Sequence, residues 1–286
     1  MTEPPTEDDA FFDTVSNTTR REILRGLAGA SGDDPTDPWV GYAELREAVG
    51  IRDTGNFNYH LDRLGSLIEK GDPGYRVTRT GMEAIATVAT GDLDPDYAWG
   101  PVEAPGSCHV CGDPVRLVYG SGVLRLTCGA EDHERRFSIS PALLETHPDG
   151  RLVEHVAFAV NRLGALLRHG ICSECQGYVD GTVEPHPRHV DRYHYHGRCE
   201  RCEFRHGQWI GGYLISHPDV VSFYRDHDVD VRSVPHWTLE FCDPGSETVV
   251  STDPLRLRVE ITHEDTTFDV TVDGDGSVTR TNPRAH

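Results

Sequence analysis

Two consecutive segments decide the fold of the N-terminal part of the chain: Gly41-Tyr-Ala-Glu-Leu-Arg-Glu-Ala-Val-Gly50 and Ile51-Arg-Asp-Thr-Gly-Asn-Phe-Asn-Tyr-His-Leu-Asp-Arg-Leu64. The first has the pattern of a short amphipathic helix that a glycine ends. In the second, apolar residues recur at three- and four-residue spacing from Phe57 to Ile68, which predicts a helix with one face turned inward. The pair therefore predicts a helix–turn–helix.

The opposite face of the second helix carries side chains suited to reading base pairs. Asparagine pairs with adenine and arginine with guanine through two hydrogen bonds in the major groove. The side chains of this helix that we expect to contact DNA are Thr54, Asn56, Asn58, Tyr59 and Arg63. A polar surface helix without a ligand has the same composition, so the neighbouring elements must decide between the two interpretations.

A turn-rich segment, Gly71-Asp-Pro-Gly-Tyr-Arg-Val-Thr-Arg79, follows the second helix and predicts a β-hairpin. It places Arg76 and Arg79 where a wing would contact the phosphate backbone. Trp39 and Val40, ahead of the first helix, are predicted to form a short strand that pairs with this hairpin. The hairpin favours the DNA-reading interpretation of the helix before it.

Capping signals define the remaining helices of this domain. Thr19 with Glu22, and Thr80 with Glu83, have capping-box spacing ahead of apolar residues. With a helix over residues 8–16, the predicted order is helix, helix, short strand, helix, helix, hairpin, helix. That order is typical of a winged helix–turn–helix domain, which we assign to residues 8–90.

The charge distribution indicates a halophilic, cytoplasmic protein. The formal net charge is −20, and Lys70 is the single lysine among 27 basic side chains. A hydrated acidic surface keeps proteins dispersed in concentrated salt, although an ordinary acidic protein is the alternative. Residues 1–51 hold 11 acidic and 4 basic side chains, whereas residues 52–79 hold 4 acidic and 5 basic ones. The proposed reading surface is therefore the part of its domain that repels a phosphate backbone least.

Neither a signal peptide nor a membrane span is predicted. The N-terminus lacks the positive and apolar regions of a signal sequence. No apolar run approaches the roughly 18 residues that a membrane helix needs. We expect a cytoplasmic protein without membrane contact.

A weak internal duplication organises the rest of the chain. Residues 91–106 have the acidic, proline- and glycine-rich composition of a linker. Cys108-His-Val-Cys111 is then echoed by Cys172-Ser-Glu-Cys175, and His147-Pro-Asp149 by His217-Pro-Asp219. These echoes predict a first zinc-ribbon-like repeat with a helix over residues 107–170 and a second repeat over residues 171–286.

Alternation of apolar and polar residues from Trp237 onward predicts antiparallel strands at the C-terminus of the second repeat. The strands turn at Asp273-Gly-Asp-Gly276. The predicted fold class is thus α+β: an N-terminal winged helix–turn–helix followed by a duplicated, β-rich zinc-ribbon domain.

The second repeat contains the stronger metal signal. Cys172 and Cys175 form one CxxC pair, and Cys199 and Cys202 form another. Each pair offers two thiolates from one tight turn, and two pairs complete a tetrahedron. Zinc is favoured, iron of the rubredoxin type is the main competitor, and disulfides are disfavoured in a reducing cytoplasm.

The first repeat offers a mixed set of ligands. Cys108, Cys111 and Cys128 supply three thiolates, and His133 is the fourth ligand by its place in the repeat. His109 lies inside the CxxC turn and would strain it. Loss of the metal, with the cysteines left as small buried residues, is the alternative.

Both sites are predicted to be structural, because four protein ligands leave no position for a catalytic water. Cys242 has no partner pair and is predicted to lie in the core. The histidine-rich segment Arg188–His196 is predicted to be a solvated loop rather than a further metal site or a pH-sensitive pocket.

Several motifs carry a resemblance to a known family. The segments Ser16-Asn-Thr-Thr-Arg-Arg-Glu-Ile-Leu24, Phe57-Asn-Tyr-His-Leu61 and Gly74-Tyr-Arg-Val-Thr78 resemble those of arsenic-repressor-type winged-helix regulators of halophilic archaea. His217-Pro-Asp-Val-Val-Ser-Phe-Tyr-Arg225 and Trp237-Thr-Leu-Glu240 are similar to the zinc-ribbon domain fused to those regulators. The resemblance implies a homodimeric transcription factor whose recognition helix lies in the major groove of double-stranded DNA.

One departure from that family affects its sensing chemistry. Metal-sensing members carry their sensor cysteines in the first helix of the helix–turn–helix, and here that helix, Ala43–Val49, has no cysteine. Arsenic or metal sensing at that position is therefore not expected.

The sequence leads to a one-component regulator as the main hypothesis. Residues 53–65 read bases, and residues 108–286 bind a small-molecule or protein effector on zinc-stapled ribbons. The competing hypothesis is a zinc-ribbon adaptor for protein interaction or the transcription machinery, whose winged helix does not bind DNA. An enzyme is not expected, because no phosphate-binding loop, nucleophile elbow or carboxylate pair is recognisable.

Overall fold

The computed structural model describes residues 7–31, 39–130, 133–147 and 149–284. Over these ranges the chain is α+β, with α-helices and several antiparallel β-sheets, which confirms the predicted mixed class. The chain divides into two compact units, Met1–Pro95 and Asp96–His286. Among the described residues, no helix combines the length and the apolar character needed to cross a bilayer.

The first unit consists of helices and one two-stranded hairpin. Its elements are α1 Glu7–Ser16, α2 Thr18–Ala30, α3 Tyr42–Val49, α4 Thr54–Asp62, β1 Ile68–Gly71, β2 Gly74–Val77 and α5 Arg79–Ala89. The order of elements is the predicted one. The expected short strand is a single antiparallel bridge, in which the Val40 N–H donates to the Tyr75 carbonyl at 2.8 Å and the Tyr75 N–H donates to the Val40 carbonyl at 2.9 Å.

Local caps fix the turn between α3 and α4. Gly50 ends α3 with a left-handed backbone (φ +70°), and its N–H donates to the carbonyls of Arg46 and Glu47. Glycine adopts this conformation without steric cost. The Asp53 carboxylate then accepts the Asn56 N–H at 2.9 Å and starts α4. Two residues, Ile51 and Arg52, therefore separate the caps of the two helices.

Three local predictions in this unit are wrong. The second helix ends at Asp62 rather than continuing to Ile68, because Gly65 has φ +49° and breaks the helix before β1. The two capping boxes are also displaced. The N-caps are Asn17, whose side chain accepts the Arg20 N–H, and Thr78, whose side chain accepts the Gly81 N–H. Each N-cap lies two residues before the predicted threonine, so Thr19 and Thr80 lie inside their helices.

The core of the first unit lies between α2, α3, α4 and the hairpin. Phe57 and Leu61, the inward-facing residues of α4, are buried in it as predicted. Its buried members are Ile23, Leu24, Leu27, Val40, Leu45, Phe57, Leu61, Leu64, Leu67 and Ala84. This packing leaves the polar side of α4 in solvent.

The second unit contains three antiparallel sheets joined by helices. The first sheet has β3 Trp99–Ser107, β4 Pro114–Gly120, β5 Val123–Thr127 and β6 Glu134–Phe137, in that order. The second has β7 Val179–His186, β8 His189–Cys199 and β9 Arg205–Trp209, and the third has β10 Glu247–Thr252, β11 Leu255–His263, β12 Thr266–Asp273 and β13 Val278–Arg284. The helices are α6 Pro141–Thr146, α7 Leu152–Arg168, α8 Ile210–Leu214 and α9 Pro218–Arg225.

This unit has two halves, which we define as β3 to α7 and β7 to β13. Both begin with the same order of elements: a small sheet, a short helix, a His-Pro pair and a longer helix. His147 follows α6, and His217 caps α9 by accepting the Asp219 N–H. Pro148 of the first His-Pro-Asp motif lies outside the described residues. The halves nevertheless share packing, because α7 contributes Val156 to one hydrophobic core and Leu167 to the other.

The predicted linker is partly a strand. Residues 99–107 form β3, whose pairing with β4 shifts register between Trp99 and Val102 and again between Ala104 and Ser107. The shifts bracket Pro101 and Pro105, and an edge strand tolerates prolines because one of its sides needs no hydrogen bonds. The prediction of a linker is therefore wrong from Trp99 onward, because pairing with β4 makes this segment an edge strand.

The C-terminal prediction is correct from Glu247 onward. β10 to β13 are antiparallel, and the turn at Asp273–Gly276 joins β12 to β13. The segment that begins at Trp237 differs from the prediction, since His236–Thr238 and Glu240–Cys242 are 3-10 turns. Trp237 packs in the core of the first half instead of extending a sheet.

Candidate metal centres and the exposed face of α4

Three CxxC segments share one backbone conformation. In the first, the Cys108 N–H donates to the Asp113 carbonyl at 2.8 Å, and the Gly112 N–H donates to the Cys108 carbonyl at 2.8 Å. The same pair of bonds recurs as Cys172 N–H to Gly177 and Gln176 N–H to Cys172 (2.9 and 3.1 Å), and as Cys199 N–H to Phe204 and Glu203 N–H to Cys199 (2.9 and 3.0 Å). We call each of these loops a knuckle. The repeated bonds turn both cysteines of a knuckle to one side.

The residue after the second cysteine is left-handed in every knuckle. It is Gly112 (φ +78°), Gln176 (φ +62°) and Glu203 (φ +62°). Non-glycine residues seldom adopt this conformation, and it costs on the order of 1 kcal/mol. Two of the knuckles therefore carry strain that the surrounding structure must hold.

The second cluster brings four thiols together: Cys172, Cys175, Cys199 and Cys202. Their sulfur atoms all lie within 4.8 Å of one another. Cys172 Sγ is 3.7 Å from Cys202 Sγ, and Cys175 Sγ is 3.5 Å from Cys199 Sγ. Bonds of about 2.3 Å to the corners of a tetrahedron place sulfurs about 3.8 Å apart. The arrangement has the dimensions of a four-thiolate metal site.

The first cluster has the predicted three thiols and one imidazole. Ligand atoms of Cys108, Cys111, Cys128 and His133 lie within 4.8 Å of one another. His133 Nδ1 is 3.8 Å from the sulfurs of both Cys108 and Cys128, and Cys111 Sγ is 3.6 Å from Cys128 Sγ. His109 is not part of this group, as the strain argument predicted. Both clusters can therefore hold a metal ion.

Each cluster is half in the core and half at the surface. Cys172 and Cys199 are buried in the core of the second half, and Cys108 in the core of the first. Cys111, Cys175 and Cys202 are exposed. The buried ligands tie the site to the fold, while the exposed ones leave a path by which an ion enters.

Hydrogen bonding divides the thiols of the second cluster. The backbone N–H of Cys202 is the main reason why the pKa of Cys199 falls to about 6. For Cys202, the Phe204 N–H is the largest single influence and favours the thiolate. Hydrogen bonding to the sulfurs of Cys175, Cys199 and Cys172 and the loss of solvation together outweigh it, and the pKa rises to about 12. Without a cation the four sulfurs share their protons, so binding of a divalent ion releases protons.

Two further contacts support the second cluster. The N–H groups of Gly177 and Arg201 donate to the sulfurs of Cys175 and Cys199, each at 3.4 Å. His206 Nε2 lies 3.4 Å from Cys172 Sγ in a buried position. No role was predicted for His206, because its inward place in β9, between the outward Arg205 and Gly207, depends on how the strands pair.

Cys242 belongs to neither cluster. It is 1% exposed and packs in the core of the second half, so the prediction of a core residue is confirmed. Burial raises the pKa of its thiol well above the ordinary value. It behaves as a small apolar side chain.

The histidine-rich segment is not a solvated loop, and that prediction is wrong. From His189 onward it is β8, the central strand of the second sheet, and both of its edges are hydrogen-bonded. His194 is buried, with its Nδ1 3.2 Å from the Glu184 carbonyl oxygen, and burial lowers its pKa. The imidazole of His186 packs against His194 and Trp209. These histidines contact aromatic rings, whereas the composition of the segment suggested contact with solvent.

The outward side of α4 presents the predicted polar set. Thr54, Asn56, Asn58, Tyr59 and Arg63 are all exposed. Asn58 Oδ1 accepts a hydrogen bond from the Tyr42 hydroxyl at 2.7 Å, and the Arg63 guanidinium lies over the Tyr59 ring at 5.2 Å. These two contacts hold the side chains in place without burying them.

The two predicted phosphate contacts are both ion-paired within the chain. Arg76 pairs with Glu69 across the hairpin at 2.6 Å and stacks over the Trp39 ring at 4.7 Å. Arg79 lies in the first turn of α5, not in the hairpin, and pairs with Glu83 at 2.8 Å. Lys70, whose ammonium lies over the Tyr75 ring at 5.7 Å, is a hairpin cation that the sequence analysis did not select.

Comparisons with known proteins find two family models that match parts of the chain. Residues 8–88 match a model described as a domain of unknown function (DUF7347). No curated protein matches the chain. A crystal structure of a Rio2 kinase–ADP/Mg2+–phosphoaspartate complex from Chaetomium thermophilum aligns over 80% of this chain and 82% of that one, with 12% identity and a TM-score of 0.30. A likeness at that level supports no conclusion.

The second matching model covers residues 105–278 and so includes all eight ligands of the two clusters. The chain belongs to the family that this model defines, described as a domain of unknown function (DUF7351).

Proposed function

We propose that this protein is a sequence-specific regulator of transcription that binds double-stranded DNA. In this proposal the first unit is a winged helix–turn–helix of the arsenic-repressor type. Helix α4 lies in the major groove, and the β1–β2 hairpin is a wing over the phosphate backbone. The second unit is a duplicated zinc ribbon that binds an effector or a partner. The setting is the cytoplasm of a halophile.

One observation carries the proposal: α4 is divided into two chemically distinct sides. Phe57 and Leu61 anchor it in the core, while five polar side chains from Thr54 to Arg63 face solvent. With nine residues, α4 is about 13 Å long, comparable to the roughly 12 Å width of the major groove. Asparagine and arginine on its outer side match the edges of adenine and guanine.

The ion pairs of Arg76 and Arg79 are compatible with a role on the backbone. Both pairs are at the surface, where such a pair is worth about 1 kcal/mol or less. A phosphate can displace Glu69 or Glu83 at little cost. Because the chain carries a net charge of −20 and concentrated salt reduces the gain from counterion release, base contacts and DNA shape supply more of the affinity.

We further propose that both clusters hold Zn²⁺ as structural ions. Sulfur-rich tetrahedral ligation suits zinc, and four protein ligands close the coordination sphere. Rubredoxin-type iron would satisfy the second cluster as well, and it would colour the purified protein. Elemental analysis together with visible absorbance separates the two metals.

A homodimer is part of the proposal, by resemblance to the regulators named above. The first unit leaves apolar side chains in solvent that a second copy would cover. Phe12 of α1 is 69% exposed and Met82 of α5 is 46% exposed. Mass photometry of the full chain measures the state directly, and a monomer at all concentrations would remove this part of the proposal.

The test of DNA binding is selection of bound genomic fragments in concentrated salt, followed by fluorescence anisotropy on the enriched site. Asn56→Ala and Arg63→Ala are each expected to weaken binding by about 10- to 100-fold, because each lost base contact is worth about 1–3 kcal/mol. Arg25→Ala is the matched control, since Arg25 is an exposed arginine on α2 beside α1 and α5.

Absence of any enriched sequence would contradict the regulator. So would equal binding by the wild type and by Asn56→Ala and Arg63→Ala. Either outcome favours the adaptor, in which the first unit contacts protein instead of DNA.

A further inference from the structure

A polar cleft lies beside α7 in the second unit, away from both metal clusters. It has a volume of about 300 Å³, at the lower end of the roughly 300–1,000 Å³ typical of small-molecule sites. The lining residues that matter below are His147, Arg151, Glu154, His155, Phe158 and Arg162. None of them belongs to the metal centres or to the proposed DNA contacts.

The cleft follows one stripe of α7. Arg151 precedes the helix, and His155, Phe158 and Arg162 follow at steps of four, three and four residues, so they lie on one side. The other side carries Val156 and the remaining core residues. The core anchors the helix, and the stripe is left to face the cleft.

The two imidazoles in the cleft differ in their hydrogen bonds. His147 Nδ1 lies 3.0 Å from the Leu143 carbonyl oxygen, which only accepts, so Nδ1–H is the donor in this contact. His155 Nδ1 is buried and has no hydrogen-bond partner among the described residues. A buried N–H without an acceptor is costly, so the tautomer with its proton on Nε2 suits this position. The two rings are in edge contact, with centroids 4.5 Å apart.

The two arginines of the cleft differ in their pairing. Arg151 makes two hydrogen bonds to the Glu154 carboxylate, at 2.8 and 2.9 Å. Glu154, which also lines the cleft, is therefore already paired with Arg151. Arg162 forms no ion pair with any carboxylate whose side chain the structure describes, and it is exposed. The Arg162 guanidinium lines the cleft and can therefore pair with an anion that binds there.

An apolar surface lies next to that guanidinium. Phe158 is 49% exposed, and Leu143 and Ala159 line the same cleft. A planar guanidinium binds carboxylates through two parallel hydrogen bonds, and an exposed aromatic ring favours contact with another flat apolar group.

We propose that this cleft binds a small aromatic carboxylate. Arg162 pairs with the carboxylate, His155 Nε2–H donates a further hydrogen bond, and Phe158 contacts the aromatic ring. Binding itself does not depend on the proposed DNA-binding function. A regulatory effect of the ligand does rest on that function.

The experiment uses the full-length, metal-loaded chain and 4-fluorobenzoate as the probe, followed by ¹⁹F NMR at neutral pH without DNA. The wild type is expected to give a saturable shift with a Kd on the order of 1 mM or tighter, as a ligand of this size allows. The neutral amide 4-fluorobenzamide should bind at least tenfold more weakly. Failure of DNA binding leaves this readout unchanged, so the two proposals fail separately.

Three substitutions make the test specific. Arg162→Gln is expected to weaken binding at least tenfold, and Arg162→Lys should restore part of it because the charge returns. Arg136→Gln removes an exposed arginine that lies outside the cleft and should leave the Kd unchanged. Because Arg162 is exposed, its variants should keep the wild-type unfolding midpoint.

Three outcomes would overturn the proposal. They are no saturable shift with the wild type, equal binding by Arg162→Gln and the wild type, and equal binding of the amide and the carboxylate. Phe158→Ala provides a second route to the same answer, since loss of the ring contact should weaken binding while Arg162 remains.

Discussion

The two cysteine clusters use one backbone design with different ligands and different surroundings. The second joins two knuckles, so Cys172, Cys175, Cys199 and Cys202 give four thiols. The first joins one knuckle to Cys128 and His133, whose five-residue separation does not form a knuckle. A knuckle is a local structure that forms from its own residues. The metal affinity of a cluster depends also on the two ligands that face the knuckle, which are a second knuckle in one cluster and Cys128 with His133 in the other.

Burial differs in the same direction as the number of thiols: the second cluster has four and the first has three. The second cluster places Cys172 and Cys199 in the largest hydrophobic core, at 1% and 0% exposure. The first places Cys108 in its core, leaves Cys128 half-buried and leaves Cys111 in solvent. We therefore expect the second ion to bind more tightly and to contribute more to folding.

The largest expected effect is that of Cys199→Ser. Structural zinc contributes about 10 kcal/mol or more of folding free energy in small domains, which is as large as the whole stability of many proteins. This variant should lose one ion and the cooperative unfolding transition of the second half, measured by calorimetry with metal analysis.

Cys111→Ser is the matched variant at the first cluster, and it should lose one ion with a smaller loss of stability, because Cys111 is exposed. Equal destabilisation by Cys111→Ser and Cys199→Ser would contradict the ranking of the two sites.

Acid should weaken the core of the first half through His236. Its Nδ1–H donates to Asn161 Oδ1 at 3.1 Å, and burial, with the charge of Arg135 adding to it, lowers the pKa to about 3. An unfolded histidine titrates near 6.5, so between about pH 6.5 and 3 the unfolded chain binds a proton that the folded chain excludes. The stability that the neutral, buried His236 contributes is fully present above about pH 6.5. Below that pH the free energy of unfolding falls by about 1.4 kcal/mol per pH unit.

His236→Gln separates this effect from acid release of the metals. The amide can still donate to Asn161 but does not titrate. Denaturant unfolding between pH 5 and 7.5 should show a shallower pH dependence for the variant than for the wild type. Identical slopes would show that His236 is not the titrating group.

The fourth ligand of the first cluster should set its affinity. His133→Ala is expected to lose the first ion at chelator concentrations at least tenfold lower than the wild type does, because a ligand is removed outright. His133→Cys should retain the ion, because a fourth thiolate makes the ligand set match that of the second cluster. A colorimetric chelator titration measures both, and retention of two equally held ions by His133→Ala would exclude His133 as a ligand.

The smallest expected effect concerns the left-handed residue of each knuckle. Gln176→Gly should stabilise the chain by about 0.5–1 kcal/mol, because glycine adopts φ +62° without strain. Gly112→Ala at the equivalent position should destabilise it by about 1 kcal/mol. Thermal unfolding measures the stability of both variants. Gly29→Ala is the control for replacing glycine by alanine, because Gly29 is in a helix and has no positive φ. Changes of the same sign in Gln176→Gly and Gly112→Ala would contradict the shared conformation.

The features that could be predicted from sequence are those whose causes are local. Two cysteines two residues apart can form a knuckle by themselves, and the place of His133 in the repeat supplied the fourth ligand. The side of α4 that carries Phe57 followed from the 3.6-residue period.

The features that sequence could not predict depend on distant partners. His206 and Cys172 are brought together only by the pairing of β8 with β9. Asn161 is buried because its amide donates to the carbonyls of Arg232 and Val234, about 70 residues along the chain. β3 was taken for a linker for the same reason, since its pairing with β4 leaves no mark on composition.

The most direct test of the two-centre account is native mass spectrometry of the full chain, with elemental analysis, at neutral pH. We expect two metal ions per chain in the wild type and in Arg25→Ala, and one ion in Cys199→Ser. A chain that binds no ion, or one that keeps both ions in Cys199→Ser, would contradict it.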